Sequence, residues 1–230
     1  MHHPLRALGA GLLDLFYPPR CAACGEPCEA GPFCEPCGEA VDDVPPGCAR
    51  CGEPGPADPC GACLASPPSF DAVRCGGLFG GPLADAIHAL KYGGRPAVAR
   101  PLGGWLAGRV ALPAGALVVP VPLAPRRRLE RGHDQAAALA AYLARAAGRP
   151  LGRAALRRIR HTPPQVGRGR AERARNVAGA FAARGALVAG REVILVDDVV
   201  TTGATADAAA EALKAAGASR VVVVALARAG

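Results

Sequence analysis

The stretch Val193–Thr205, Val-Ile-Leu-Val-Asp-Asp-Val-Val-Thr-Thr-Gly-Ala-Thr, holds the residues best equipped for chemistry. Its first four residues read as a buried strand. That strand would deliver Asp197 and Asp198 to the carboxyl edge of a sheet, where open α/β sheets bind ligands. Thr201, Thr202, Gly203 and Thr205 follow at the start of a helix, so hydroxyls and backbone amides can surround a phosphate, aided by the helix dipole. Gly203 lets the backbone approach closely. Adjacent carboxylates just before such a cradle suit the two hydroxyls of a ribose 5-phosphate. The plainer alternative is a βα turn whose acids are merely solvated and whose threonines cap the helix. The full string is far more specific than a lone glycine motif.

A second chemistry is carried by cysteine. Eight of the ten cysteines form four Cys-x-x-Cys pairs: Cys21/Cys24, Cys34/Cys37, Cys48/Cys51 and Cys60/Cys63. Cysteines so spaced on a turn can both point at one tetrahedral ion, whereas a disulfide framework does not call for this repeated knuckle. The segment also contains a repeat. Cys21–Cys37 and Cys48–Cys63 each read Cys-x-x-Cys-Gly-Glu-Pro, a loop, then Cys-x-x-Cys, with nine and eight residues separating the pairs. Two copies of one unit imply two similar structural zinc sites. The repeat favours Cys21/Cys24/Cys34/Cys37 around one ion and Cys48/Cys51/Cys60/Cys63 around the other, with a crossed arrangement of alternating pairs left open. Four thiolates close the coordination shell, so the expected role is to clip the fold rather than to catalyse. Cys28 and Cys75 fall outside the knuckles and read as bystanders.

The elements that must position these residues divide unequally. Residues 1–70 contain three basic and nine acidic side chains, a balance of −6, and the remainder has 24 basic against 10 acidic, or +14. So sharp a change marks a domain boundary, and the basic part suits a polyanionic ligand. The expected division is 1–68 for a small N-terminal unit and 69–230 for the larger domain. From about Pro18 to Pro68 the chain is rich in Pro, Gly and Cys, with no helical or strand period, so metal must organise it. Beyond it, Gly81–Tyr92 is a predicted helix with Leu83, Ile87 and Leu90 on one face. Leu117–Pro122 is a short buried strand, and Gln135–Ala147 an Ala-rich helix ending at Gly148. Val193–Val196 is a strand, Ala204–Ala216 a helix closed by Gly217, and Arg220–Ala227 another strand. Strand, helix and strand with continuous apolar runs indicate a parallel sheet covered on both faces.

Between these lies Gly152–Arg175, a predicted loop in which Arg153, Arg157, Arg158, Arg160, Arg168, Arg170, Arg173 and Arg175 face only Glu172 in opposition. Long loops in compact domains are usually lids, binding loops or disordered. This one reads as a lid that neutralises a departing anion, as a phosphate-contacting nucleic-acid surface, or as a solvated charged loop. Its place ahead of the Val193 strand favours the lid, and aromatics at 4 % leave few platforms for stacking single-stranded bases. No apolar run approaches the roughly 20 residues a membrane span needs. Leu5–Tyr17 is short and contains Asp14, and it reads as a docking helix or turn rather than a signal peptide. Reduced thiols and a cytoplasmic location are therefore expected.

Val193–Thr205 closely resembles the binding motif for phosphoribosyl diphosphate (PRPP) in type I phosphoribosyltransferases. By that resemblance Asp197 and Asp198 hold the ribose hydroxyls, and Val199, Val200, Thr201, Thr202, Gly203, Ala204 and Thr205 hold the 5′-phosphate. Mg²⁺ would ride on the ligand's pyrophosphate and ribose oxygens. Further segments occur in order: the Cys-x-x-Cys pairs, Leu90-Lys91-Tyr92, Pro120-Val121-Pro122-Leu123, Arg131-Gly132-x-x-Gln135, Thr162-x-x-Gln165, Arg173-x-x-Asn176 and Phe181. With the PRPP motif they resemble the ComF family, competence-associated proteins with a double zinc ribbon and a phosphoribosyltransferase-like domain. The implied fold is a type I phosphoribosyltransferase α/β domain, a parallel sheet flanked by helices, behind a small N-terminal double zinc ribbon. One departure stands out: Arg131-Gly132-His133-Asp134-Gln135 replaces the usual Arg-Gly-Phe-Asn-Gln.

Two functions follow from the resemblance. One is a PRPP-binding protein of natural transformation that handles single-stranded DNA alongside a competence helicase. The other is a metabolic Mg²⁺-dependent phosphoribosyltransferase acting on an unidentified acceptor. There Asp197 and Asp198 would position the sugar, and Lys91 with lid arginines such as Arg173 would receive the pyrophosphate. Lys91 reads equally well as an exposed helix end. His88 and His133 show no spacing that suggests a metal site, and the oligomeric state is open.

Overall fold

Valine-rich runs with both faces apolar form strands that are buried on both sides. In the computed structural model, which describes residues 19–29, 31–92, 96–124, 132–160 and 175–229, four such strands form one parallel sheet. In chain order the elements are α1 (Glu35–Glu39), α2 (Gly61–Ala65), β1 (Ala72–Leu78), α3 (Gly81–Tyr92), α4 (Ala99–Arg109), β2 (Leu117–Pro120) and α5 (Gln135–Ala146). They continue with β3 (Leu156–Arg158), β4 (Phe181–Ala183), α6 (Gly185–Val188), β5 (Glu192–Val200), α7 (Ala204–Ala215) and β6 (Arg220–Arg228). The sheet order is β1-β6-β5-β2, and β3 pairs antiparallel with β4 in a separate ribbon.

Alternation along the central strands divides the core in two. Ile194, Val196, Val222, Val224 and Leu226 join Leu83, Ile87 and Leu90 of α3, Leu102 and Leu106 of α4, and Leu139 and Leu143 of α5. Val193, Leu195, Val221 and Val223 face the other way, toward Ala206, Ala209, Ala210 and Leu213 of α7. Small residues set the helix spacing. A Cβ on Gly103 of α4 would lie 2.6 Å from Tyr142 Cβ and 2.9 Å from the Leu143 backbone nitrogen in α5. Gly103→Ala is therefore expected to lower stability by about 1–3 kcal/mol despite alanine's better helix propensity. Denaturant unfolding measures this, and an unchanged midpoint would contradict the packing described.

The cysteine-rich segment is joined to this sheet by both cores. Cys21, Ala22, Phe33 and Val41 enter the first, and Cys48, Cys51, Cys63 and Phe70 enter the second. Between them the segment covers β1, an edge strand. The Leu78 amide donates to Asp42 O at 2.8 Å, and a Cβ on Gly77 would lie 2.7 Å from that same oxygen. Covering an edge in this way removes a template for unwanted strand pairing. Phe33 meets Trp105 edge-to-face, with ring centroids 5.6 Å apart. The proposed division between residues 68 and 69 falls in the stretch after α2, ahead of β1. No described helix is long and apolar enough to cross a membrane.

The expected helices and strands appear with small shifts, and three differences matter. β5 runs through Asp197 and Asp198 to Val200, because β6 continues beside it with Val199 opposite Ala227 and Val200 opposite Arg228. Part of the predicted arginine loop is strand: Leu156–Arg158 pairs with Phe181–Ala183. Helices α1 and α2 lie in the segment expected to lack them, each only five residues long. Leu5–Tyr17, Thr162, Gln165, Arg168, Arg170 and Arg173 lie outside the described residues.

Candidate functional site

β5 is central in the sheet, and the chain leaves it through Thr201 and Thr202 into α7. Gly203 makes the turn with φ +77°, a left-handed conformation that a side chain would strain. Thr202 Oγ1 accepts from the Ala204 amide at 3.4 Å. Asp197 and Val199–Ala206 together line a small cavity at the N-terminus of α7, so the acid and the loop expected to act together share one space. The positive end of a twelve-residue helix favours an anion there.

The two carboxylates are used differently. Asp198 is 7 % exposed; Lys91 Nζ sits 3.0 Å from its Oδ1, and Gln135 Nε2 donates to its Oδ2 at 3.2 Å. Lys91 is thus neither an exposed helix end nor a detached cation: it is paired with Asp198. Asp197 is partly buried and its Oδ1 accepts from the Asp198 amide at 2.8 Å. Burial, with the Asp198 charge alongside, pushes its carboxyl up to about 7, against the pull of that amide and of Lys91. A carboxyl held near neutrality beside a cavity at a helix N-terminus marks a candidate functional site.

Residues 132–135 explain the departure noted in the sequence. Asp134 caps α5 by accepting from the Ala137 amide at 3.0 Å, a role aspartate and asparagine fill equally well. His133 Nε2 lies 2.7 Å from Leu90 O, which ties α5 to the helix end that carries Lys91. The sequence reading assigned no role to His133, because its partner is 43 residues away. At the described base of the arginine loop, Arg160 reaches the carbonyls of Asn176 (3.1 Å) and Ala178, and Arg158 stacks over Phe181 at 5.2 Å. These two arginines hold the ends of the loop together.

Both cysteine quartets are assembled in the local arrangement, Cys21/Cys24/Cys34/Cys37 and Cys48/Cys51/Cys60/Cys63, with the sulfurs of each within 4.8 Å of one another. That excludes the crossed arrangement. Cys24 and Cys34 sulfurs are 3.7 Å apart, and those of Cys51 and Cys60 3.6 Å. A tetrahedral ion with Zn–S bonds of about 2.3 Å requires an S···S edge of about 3.8 Å. A disulfide would need about 2.05 Å. Backbone amides overcome burial to bring the Cys21 and Cys48 thiols down to about 6. Burial and the neighbouring sulfurs push Cys37 up to about 12 and Cys63 upward as well. A dication relieves that crowding, so both sets fit structural zinc. Cys28 and Cys75 belong to neither quartet.

Known proteins agree with both halves of this description. The Double zinc ribbon domain family matches residues 12–76, and the Phosphoribosyl transferase domain family matches residues 132–230. Competence protein F of Haemophilus influenzae is 31 % identical over 218 residues, covering 91 % of this chain and 90 % of that protein. DNA utilization protein YhgH is 34 % identical over 180 residues in Salmonella typhi, covering 75 % of this chain and 79 % of the relative. In Escherichia coli K12 it is 34 % identical over 177 residues, covering 74 % and 78 %. Two cysteine quartets joined to a phosphoribosyltransferase domain, over nearly the full length of such a relative, place this chain in the ComF family.

Proposed function

We propose that this protein binds PRPP and acts in DNA uptake during natural competence, where it handles single-stranded DNA. The observation that carries the PRPP half is the cavity at the α7 N-terminus, which Asp197 and Val199–Thr205 line together. The 5′-phosphate sits on that loop and Asp197 meets the ribose hydroxyls. Asp198 supports the same sugar and holds Lys91 at the site's edge, where pyrophosphate would lie. Mg²⁺ would ride on the ligand's own oxygens and supply charge neutralisation there. Arg173 and its neighbours are the candidate lid. The names of the relatives, together with the +14 balance of residues 71–230, support a DNA-related role; a cytoplasmic location and a helicase partner are what the family resemblance adds.

Equilibrium binding of PRPP with Mg²⁺ tests the first half. Replacing Asp197 and Asp198 with alanine is expected to weaken it by about 100-fold or more, since each charged hydrogen bond contributes roughly 1.5–3 kcal/mol. Retention of PRPP affinity by that double variant would overturn the site assignment. The DNA half is read from a salt titration: retention of single-stranded DNA should fall steeply as salt rises. Tight PRPP binding with no DNA retained at low salt would instead favour the metabolic transferase, which labelled PRPP and a panel of acceptors would reveal.

A further inference from the structure

Arg228, on β6, is 2 % exposed, and none of its contacts is explained by the cavity or by the metal quartets alone. Its guanidinium reaches in two directions. Nη1 donates to the carbonyls of Val200 (3.4 Å) and Thr201, the residues by which the chain enters the phosphate loop. Nε donates to Gly52 O at 3.3 Å, and Nη2 pairs with Glu53. Gly52 and Glu53 directly follow Cys51 in the second knuckle. One buried cation therefore holds the loop's entry against the metal-binding turn.

The exit of the loop is held to the same region. The Ser69 amide donates to Asp207 Oδ1 at 2.6 Å, in the first turn of α7. Phe70 packs on Gly203, where a Cβ would make ordinary van der Waals contact with its ring at 3.5 Å. Between these attachments a cavity of about 440 Å³ is lined by Cys51, Cys63, Phe70, Thr202, Gly203 and Asp207, among others, so the middle of the loop at Thr202 and Gly203 is not filled in on that side.

The repeat supplies an internal control. Gly25 occupies in the first copy the place of Gly52 in the second, and its carbonyl also accepts from an arginine, Arg20 Nη1 at 3.1 Å. That contact is local and exposed. The same carbonyl position thus serves its own turn in one copy and, in the other, an arginine 176 residues away.

We propose that Arg228 is a positioning residue for the phosphate loop, and that through it the second metal-binding knuckle sets the loop's affinity for its ligand. The ligand's identity rests on the PRPP reading; the clamp itself does not. A planar guanidinium can span acceptors on both sides at once, which a lysine ammonium cannot. Arg228→Met is expected to weaken PRPP·Mg²⁺ binding at least tenfold while the purified protein keeps two zinc per chain and unfolds cooperatively. Arg228→Lys should lie between it and wild type. Arg20→Met should leave affinity within twofold.

Hydrogen exchange supplies a second readout that needs no ligand. The amides of Val199–Thr205 should exchange at least tenfold faster in Arg228→Met or Glu53→Gln than in wild type, with no such change in Arg20→Met. Glu53→Gln, on a part-exposed side chain, serves if the Arg228 variants do not fold. Folded variants with wild-type affinity and wild-type loop exchange would overturn the clamp. Failure of wild type to bind PRPP, with the exchange pattern as expected, would overturn the functional reading and leave the clamp standing.

Discussion

Cys51→Ser is expected to remove one of two zinc ions and to lower the unfolding temperature by about 10 °C or more. The two short helices of the segment that carries the quartets bury little of their own: α1 buries no side chain, and α2 buries only Cys63. Structural zinc in small knuckles contributes apparent free energies of about 10–16 kcal/mol, comparable to the whole stability of a typical domain. Cys48, Cys51 and Cys63 are also members of the core on the α7 side of the sheet, so their disorder reaches Phe70 and Val73. Even about 4 kcal/mol lost would shift the midpoint by roughly 8–16 °C in a chain of this size. Metal analysis and a thermal melt read the two effects separately. Cys28→Ser, outside both quartets, should retain two zinc; a Cys51→Ser protein that also retained two would show that the quartet is not the ligand set.

The second large effect has the opposite sign. Asp197→Asn is expected to stabilise the ligand-free protein at pH 8 and to leave it little changed near pH 4. In the folded state the Asp197 carboxyl is pushed up to about 7 from an ordinary 3.8, chiefly by burial and then by Asp198. Between those values the folded protein keeps a proton that the unfolded chain releases. Stability therefore falls as pH rises from about 4 to about 7, and the loss is complete above that. The full shift corresponds to at most about 4 kcal/mol, and solvent reaching a partly exposed group reduces it to about 1–3 kcal/mol. Urea unfolding of both proteins at pH 4, 6 and 8 measures the difference. A variant equally destabilised at all three values would mean that Asp197 is held by its hydrogen bond rather than strained by burial. Stabilisation at pH 8 would mean that the carboxylate proposed to meet the sugar costs the fold stability, a common trade at functional sites.

What the sequence made legible follows from local physics. α3 matches its predicted limits because Leu83, Ile87 and Leu90 recur on one face and are all buried. The knuckles were legible because ligand spacing is a local property, and their pairing was settled only when the sulfurs could be measured. α4 carries Pro101, Gly103, Gly104 and Gly108, all poor helix formers, and no clear helical signal, yet Gly103 is what lets α5 approach. β3 and β4, three residues each and partnered across the arginine-rich stretch, have no periodicity to detect. At the site, the acids and the loop were legible as one continuous string. The pairing of Lys91 with Asp198, the bond from His133 to Leu90 O and the reach of Arg228 to Gly52 join residues distant in sequence, and no local pattern announces them.

The position of β6 has a consequence for how the chain comes together during synthesis. It lies between β1 and β5 in the sheet, yet it is the last of the four strands to be made. The knuckles close over loops of nine and eight residues and can take up metal while the rest is still being translated. β1 and β5 must wait unpaired on one side until residues 220–228 emerge, because no earlier strand can take the central place. An early metal-bound unit beside a late-closing sheet leaves β1 without its strand partner for most of translation, the interval in which such chains are most exposed to aggregation.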